Sequence, residues 1–319
     1  MRGPRACYNF GVRSSGATGR HTTEAEGSSA YLYMLASSLA FATMGALSHL
    51  AGERCDWQLV AVARTLVAFV LAAALAVSTG VRLVFFRPRV LWVRSIAGSA
   101  SLLCAFYALT HLPVSTTVTL TNTVPVWVTL LAWPVLGHKP ARAVWTAILI
   151  GLVGVALIQR PEAASDRAGV WLALLSAVGT AVGMIGLNRL GGLDVRAVVT
   201  HFSGVSAAFA LASLLVAGRA VDYSALGDAR TLLLLAGVGL TGTLGQFALT
   251  RAYATGNPSR VSVVGLSQVV FALAFDLVLW RRRFDLPTLA GILLVTVPSA
   301  WLILSNPLRR PAAIHTTSA

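Results

Sequence analysis

Charged side chains are rare within the long apolar stretches of this chain, and Arg64 is one of the few. It follows Trp57 by seven residues, which is about 10 Å along a helix that rises 1.5 Å per residue. Its planar fork of donors could bind an anionic group such as a carboxylate. The alternative is a structural anchor that bonds helix-end carbonyls or extends toward the surface. Either role must offset a cost of about 2.5–3.5 kcal/mol for a charge inside such a stretch.

Asp276 is the second charged side chain of this kind, and it precedes Trp280 by four residues. On a helix it shares one stripe with Gln268, and this small and polar stripe should face the protein interior. Asp276 could serve as a proton or cation site, which would make it a coupling residue. Pairing with the arginines at 281–283 is the alternative.

The stretch from 116 to 123 is unusually polar, with several threonines beside Asn122. Pro125 follows and removes a backbone donor, so freed carbonyls and side chains such as Thr119 and Asn122 could line a cavity. Helix packing through the hydroxyls is the other reading. Tyr107 and Gln246, in two further apolar stretches, are candidates for the same lining.

The elements that must position these residues are apolar stretches of about 20 residues, each long enough to cross a hydrocarbon core of about 30 Å as a helix. We place ten of them, at 30–51, 57–79, 91–110, 114–136, 142–159, 169–188, 196–217, 231–250, 259–280 and 287–305. Only 11% of the residues are charged, against about 25% in soluble proteins. This pattern predicts an all-α integral membrane protein, with no segment left for a soluble catalytic domain.

The formal net charge of +14 would suggest nucleic acid in a soluble protein, but here the arginines fall in loops and tails. We count Arg94 among them. More basic residues lie on the side of the N-terminus, which predicts cytoplasmic termini in a multi-pass protein of the cell (inner) membrane. Cys7, Cys55 and Cys104 are isolated, so neither disulfides nor a metal site is expected.

The first 29 residues are rich in Arg, Gly and Ser and contain no apolar run, so we do not expect a cleaved secretory signal there. We predict a disordered cytosolic tail there, with an organellar transit peptide as the alternative. Residues 307–319 are predicted to form a second cytosolic tail.

The chain repeats itself with a constant offset, because Leu35 and Met44 align with Leu175 and Met184, and Gly151 aligns with Gly291. The predicted repeats are 30–159 and 169–306, each with five helices. An odd number of helices would turn the second repeat upside down relative to the first, unless one helix is miscounted. A doubled set of apolar segments is typical of transporters whose site forms where the halves meet.

Short motifs occur at 105–109, 113–115, 123–127 and 151–155 in the first half, and at 251–254, 258–262 and 284–291 in the second. With these motifs the chain resembles the EamA-type family of the drug/metabolite transporter superfamily. Arg64 matches a position where that family commonly has Arg. The sequence lacks the Gly-Glu pairs that the family often has after its fourth and ninth helices, and its first span lacks the membrane carboxylate of small multidrug-resistance relatives.

We therefore predict a secondary transporter of small organic metabolites, driven without ATP and working by alternating access, with export favoured. An uptake permease for a nucleotide-like or cationic metabolite is one alternative, and a non-transporting receptor or scaffold is another. The sequence contains no His-Glu-x-x-His motif or phosphate-binding loop, which argues against an enzyme. The expected partners are a small-molecule solute and the lipid bilayer, without cofactor or nucleic acid. The sequence is also compatible with a homodimer.

Overall fold

The computed structural model describes the backbone of residues 19–111, 114–137, 139–159, 166–216, 224–280 and 285–304. Side chains are described from residue 29 onward within those ranges, except at 106, 109–111, 114–116, 159, 216, 276, 280, 303 and 304. The elements found there are helices: α1 Gly19–Gly52, α2 Trp57–Ser78, α3 Arg89–His111, α4 Val114–Thr121, α5 Val124–Leu136, α6 Arg142–Gln159, α7 Arg167–Arg189, α8 Val195–Val216, α9 Ala229–Thr255, α10 Pro258–Gly265, α11 Ser267–Trp280 and α12 Leu286–Leu304, with a 3-10 turn at Ser224–Gly227.

Seven helical segments of the described chain are long and apolar enough to cross a membrane. They are Ser29–Gly52, Trp57–Ser78, Thr117–Leu136, Arg167–Arg189, Val195–Leu215, Ala229–Thr255 and Pro258–Leu279. Shorter apolar helices occupy Arg142–Ile158 and Leu286–Leu302. Helix α1 begins at Gly19, within the segment that the sequence predicts to be a tail.

The predicted fourth span consists of two helices, α4 and α5, separated at Asn122 and Thr123. Pro125 lies in the first turn of α5, where a missing N–H costs least. The Asn122 amide nitrogen donates to the Val118 carbonyl at 2.8 Å, so this side chain closes the end of α4.

The predicted ninth span is also divided, into α10 and α11, at Leu266. No proline causes this break. The Ser38 hydroxyl of α1 donates to the Gly265 carbonyl at 3.4 Å and so provides a partner for a carbonyl at the end of α10. The fourth span of each half is therefore interrupted, which is where discontinuous helices occur in transporters built from repeats.

The apolar core has its largest cluster at one end of the bundle, where a second cluster around Val144, Val263 and Leu302 lies beside it. At the end where α1 begins, one cluster joins α1, α3, α5, α7, α8, α9 and α10, and includes Tyr31, Val128, Leu187, Tyr253 and Val264. At the opposite end the apolar contacts form separate clusters, around Val238, Ala173 and Val295. There α4 packs on α7, α6 and α3, whereas α11 packs on α1 and α12. We call the first the joined end.

Helices α6 and α12 pack so closely that their backbones are in contact at Gly154 and Gly291. An added Cβ on Gly154 would lie 2.8 Å from the Gly291 carbonyl oxygen, and one on Gly291 would lie 2.7 Å from the Gly154 carbonyl oxygen. Small residues permit such contacts between helices in membranes. The pair holds together the last helices of the two halves.

Candidate functional site

Arg94 is buried inside the helix bundle, with 3% of its surface exposed. The expectation that it lies in a loop is therefore wrong. Arg94 lies in the second turn of α3, and the neighbouring helices fold over it. Its guanidinium carbon lies 3.7 Å from the centroid of the Phe202 ring in α8, an arrangement that favours a cation–π interaction.

Glycines make the space that this arginine occupies. An added Cβ at Gly98, one turn along α3, would lie 2.7 Å from an Arg94 terminal nitrogen. One at Gly186 in α7 would lie 3.0 Å from the Arg94 Cβ. Any larger residue at these positions would force the guanidinium or helix α7 to move. The sequence thus supplies small residues on two helices around one buried cation.

The Arg94 side chain has little hydrogen bonding to offset its burial. Its Nε atom is buried and has no hydrogen-bond partner among the described residues. No ion pair of Arg94 occurs in that part of the chain either. A buried charge is normally paired or hydrogen-bonded, because desolvation costs several kcal/mol. The Arg94 guanidinium is thus buried without a countercharge among the described residues.

Arg64 reaches the same region from α2 and is partly buried. Its Nε donates a weak hydrogen bond to the Met44 sulfur of α1 at 3.2 Å. An added Cβ at Gly242 of α9 would lie 3.4 Å from its Cγ. Phe202, whose ring Arg94 contacts, lines the same small cavity as Arg64. Two cations thus share this interior region without a carboxylate among the side chains that the structure describes.

Polar side chains join α3 to α8 beside the two arginines. The Ser95 hydroxyl lies 2.8 Å from His201 Nδ1, and the Ser99 hydroxyl lies 2.9 Å from that of Ser206. His201 is 4% exposed, and its Nε2 has no hydrogen-bond partner within the described ranges. Trp92 meets the imidazole edge-on at a centroid distance of 4.8 Å. These groups could donate to or accept from a polar solute.

A small cavity of about 10 Å³ lies beside Arg64, and two residues described above, Phe202 and Ser206, also line it. Its lining consists of Arg64, Thr65, Ala68, Phe202, Ser203, Ser206, Gly242 and Gln246. A cavity of this size holds about one water molecule. An organic solute would therefore require the helices around Arg64 to separate.

A sequence model of the EamA-like transporter family matches the chain twice, at residues 28–160 and 167–304. The chain belongs to this family. The predicted resemblance is confirmed, and each half carries one EamA-like repeat. Membership establishes a multi-pass membrane transporter, in agreement with the apolar helices.

Relatives of this EamA-like protein are also transporters. The pseudopaline exporter CntI of Pseudomonas aeruginosa strain UCBPP-PA14 is 27% identical over 271 residues, which cover 84% of this chain and 94% of the relative. An uncharacterized transporter of Helicobacter pylori strain J99 is 27% identical over 210 residues, covering 63% of this chain and 69% of the relative.

The fold has a solved counterpart. One crystal structure superposes with a TM-score of 0.76 over 88% of this chain and 97% of the other, at 18% identity. At that identity the likeness concerns the fold alone. Family and relatives indicate a transporter rather than an enzyme. The substrate of such a transporter is a small molecule.

The structure brings together two of the residues predicted for the site, Arg64 and Gln246, in one lining. Gln246 is 5% exposed, and its amide nitrogen lies 3.5 Å from the Thr250 hydroxyl. Gln268 is exposed on α11, and Tyr107 is 39% exposed on α3. Thr119 is partly buried in α4.

Asn122 is partly buried at the break after α4, where its amide bonds to backbone. The side chain of Asp276 lies outside the described residues, as do the arginines at 281–283, so the coupling role stays a prediction. Arg94 and His201 were missed by sequence reasoning. The available signal was a polar stripe, Arg94, Ser95 and Ser99, at helical spacing within an apolar stretch.

Proposed function

We propose that this EamA-like protein is a secondary transporter that exports a small organic anion, with Arg64 and Arg94 binding its carboxylate. One observation carries the proposal: two guanidiniums share the interior without a carboxylate partner in the described chain. A bound anion would supply the missing countercharge, and guanidinium binds carboxylate in a bidentate manner. Phe202 would hold the Arg94 plane, leaving its edge for the solute.

The positive charge of Arg64 and Arg94 also favours some of the alternative substrates over others. A cationic metabolite would meet two like charges in a region of low dielectric, which is unfavourable. A nucleotide-like solute carries phosphate, which arginine binds as well as carboxylate. The Pseudomonas relative is an exporter by name, and we propose the same direction for this chain.

Alternating access is supported by the unequal packing of the two ends. The joined end holds seven helices in one apolar cluster, beside a smaller cluster of α6, α10 and α12, whereas the opposite end has only small clusters. A carrier that opens to one side at a time needs such an asymmetry, which must reverse during transport. We propose that the helices form ten spans in two inverted repeats, 30–159 and 169–306. Both termini and the joined end would then be cytoplasmic, in the inner membrane.

Uptake into liposomes that contain the purified protein tests the substrate class. A mixed panel of carboxylates, their neutral amides, organic cations and nucleotides, with pseudopaline added, is read by mass spectrometry in both directions. We expect carboxylates to move and their amides to fail. Movement of cations alone, or of amides and acids alike, would refute the carboxylate site. Absence of any movement would favour the receptor or scaffold.

Asn188 provides a test of the joined end. Its amide nitrogen donates to the carbonyls of Tyr253 at 2.9 Å and Gly256 at 3.1 Å, so it ties α7 to α9 there. We expect Asn188→Ala to weaken that end by about 1–3 kcal/mol, because two interhelical hydrogen bonds are lost. In a protein whose native cysteines are replaced by serine, labelling of Val128→Cys should then accelerate about tenfold. Val128 is fully buried in the joined end.

The label is a membrane-impermeant maleimide, applied to vesicles of either orientation. Asn257→Ala is the matched control, because the Asn257 side chain accepts from the Arg260 backbone within α10 and ties no second helix. Equal labelling rates with and without Asn188 would show that these bonds do not hold the end closed. The orientation of the reactive vesicles reports which side the joined end faces.

A further inference from the structure

A groove of about 800 Å³ lies between α1 and α9, apart from the arginine site. Its lining is Tyr33, Ala36, Leu39, Ala40, Thr43, Leu193, Asp194, Val195, Arg196, Thr241, Leu244, Phe247, Ala248 and Arg251. The lining along both helices is mostly apolar, and Leu39 and Leu244 are 47% and 57% exposed. Such a lining suits contact with the apolar chains of lipids more than contact with water.

The groove has the length of one leaflet. Along α1 it extends from Tyr33 to Thr43, and along α9 from Arg251 to Thr241. Ten residues of helix rise about 15 Å, half of a hydrocarbon core of about 30 Å. Tyr33 and Arg251 mark the end near the membrane surface, where tyrosine and cations are favoured. The threonines mark the end near the midplane.

Positive charge collects at the surface end of the groove. Arg196 donates from Nε and a terminal nitrogen to the two carboxylate oxygens of Asp194, at 3.0 and 2.9 Å. These bonds hold the pKa of Asp194 below its ordinary value, with a further contribution from the charge of Arg251. Asp194 therefore stays ionised near neutral pH and neutralises Arg196.

Arg251 is exposed and has no ion-pair partner in the described parts of the chain. The surface end consequently carries about one uncompensated positive charge. A ligand that matches the groove needs an apolar chain of about one leaflet in length below an anionic head. Charge and shape together describe a lipid of the bilayer itself.

We propose that the groove between α1 and α9 binds one anionic phospholipid, with an acyl chain between the helices and its phosphate at Arg251. The lipid would cover the seam along which α1 packs on α9. Ser37 of that seam donates to the Gly245 carbonyl at 2.9 Å, so the bound chain lies against a contact between the two halves. Lipid binding in this groove does not depend on which solute the protein transports. It is also independent of Arg64 and Arg94 in the interior.

Native mass spectrometry of the purified full chain tests this proposal, with phosphatidylglycerol and phosphatidylcholine titrated separately. We expect phosphatidylglycerol to bind about fivefold more tightly, because one uncompensated basic residue near a membrane contributes about that factor. Arg251→Gln should bring the two affinities together. Arg260→Gln is the matched control, since Arg260 lies at the same end of the bundle but outside the groove, and should retain the preference.

Ala36→Phe and Ala248→Phe fill the groove from its two sides and should each lower the affinity for both lipids. Size-exclusion profiles identify any variant that fails to fold, and two independent positions keep the test decisive. Equal affinities in the unmodified protein, or an unchanged preference in Arg251→Gln, would overturn the proposal. Disulfide cross-linking of Leu39→Cys between two copies in the membrane would also overturn it and assign the groove to a homodimer.

Discussion

Arg94→Met is expected to reduce transport of the anionic solute at low concentration by about 10- to 100-fold. A hydrogen bond to a charged group contributes about 1.5–3 kcal/mol, and each 1.4 kcal/mol is a factor of ten in affinity. Methionine retains much of the volume and fits between Phe202 and the glycines. The same change removes a buried charge that has no described countercharge. We therefore expect the thermal midpoint of unfolding to stay level or to rise.

The combination of lost transport and retained stability separates binding from structure. Arg89→Met is the matched control, because Arg89 is exposed at the first residue of the same helix, and it should leave both measurements unchanged. Arg94→Lys should recover part of the transport, because charge remains while the planar fork is lost. A large fall in unfolding temperature for Arg94→Met would assign Arg94 a structural role and remove it from the site.

Gly291→Leu is expected to destabilise the protein by about 1–3 kcal/mol or more, as overpacking of close contacts does. The added side chain would begin 2.7 Å from the Gly154 carbonyl oxygen and 2.8 Å from Ile158 Cγ1. Backbone cannot rotate out of the way, so α6 and α12 must separate. Gly154→Leu should behave alike. The measurement is the unfolding midpoint in detergent.

Gly45→Leu is the control for this pair. Gly45 also lies in a helix, but an added Cβ there meets nothing within 4 Å. Leucine has higher helix propensity than glycine, so the control should be neutral or slightly stabilising. A similar loss in Gly45→Leu and Gly291→Leu would mean that the α6–α12 contact is not responsible.

The sequence predicted the helical class and the doubled repeat because both depend on local hydrophobicity. The first helix break has a local signal in Asn122 and Pro125, because the proline removes a backbone donor beside a polar stretch. The second break had no such signal. It occurs at Leu266, where a hydroxyl from α1, more than 200 residues away, meets the end of α10. A local stretch of sequence cannot reveal a contact between residues so far apart in the chain.

The candidate site could be predicted only in part, for a related reason. Arg64 lies well inside its apolar stretch, so its cost demanded an explanation. Arg94 lies close to the start of α3, where arginines usually reach the surface, and so it was counted among the loop charges. Its burial depends on glycines of α7, about 90 positions along the chain. Gln246 was recognised as polar within an apolar helix, but its proximity to Arg64 required the packing of α2 on α9.

The interruptions after Thr121 and at Leu266 have a mechanical consequence. An unbroken helix is a stiff rod, so tilting one end obliges the other end to swing the opposite way. A helix that is interrupted near its middle does not transmit this motion. Each of its two segments can move with the helices on which it packs. Helix α5 can stay against α10 while α4 moves with α3 and α6, although both pieces also contact α7. The two ends of the bundle can thus be strengthened or loosened separately, by substitutions at one end that leave the stiffness of the other unchanged.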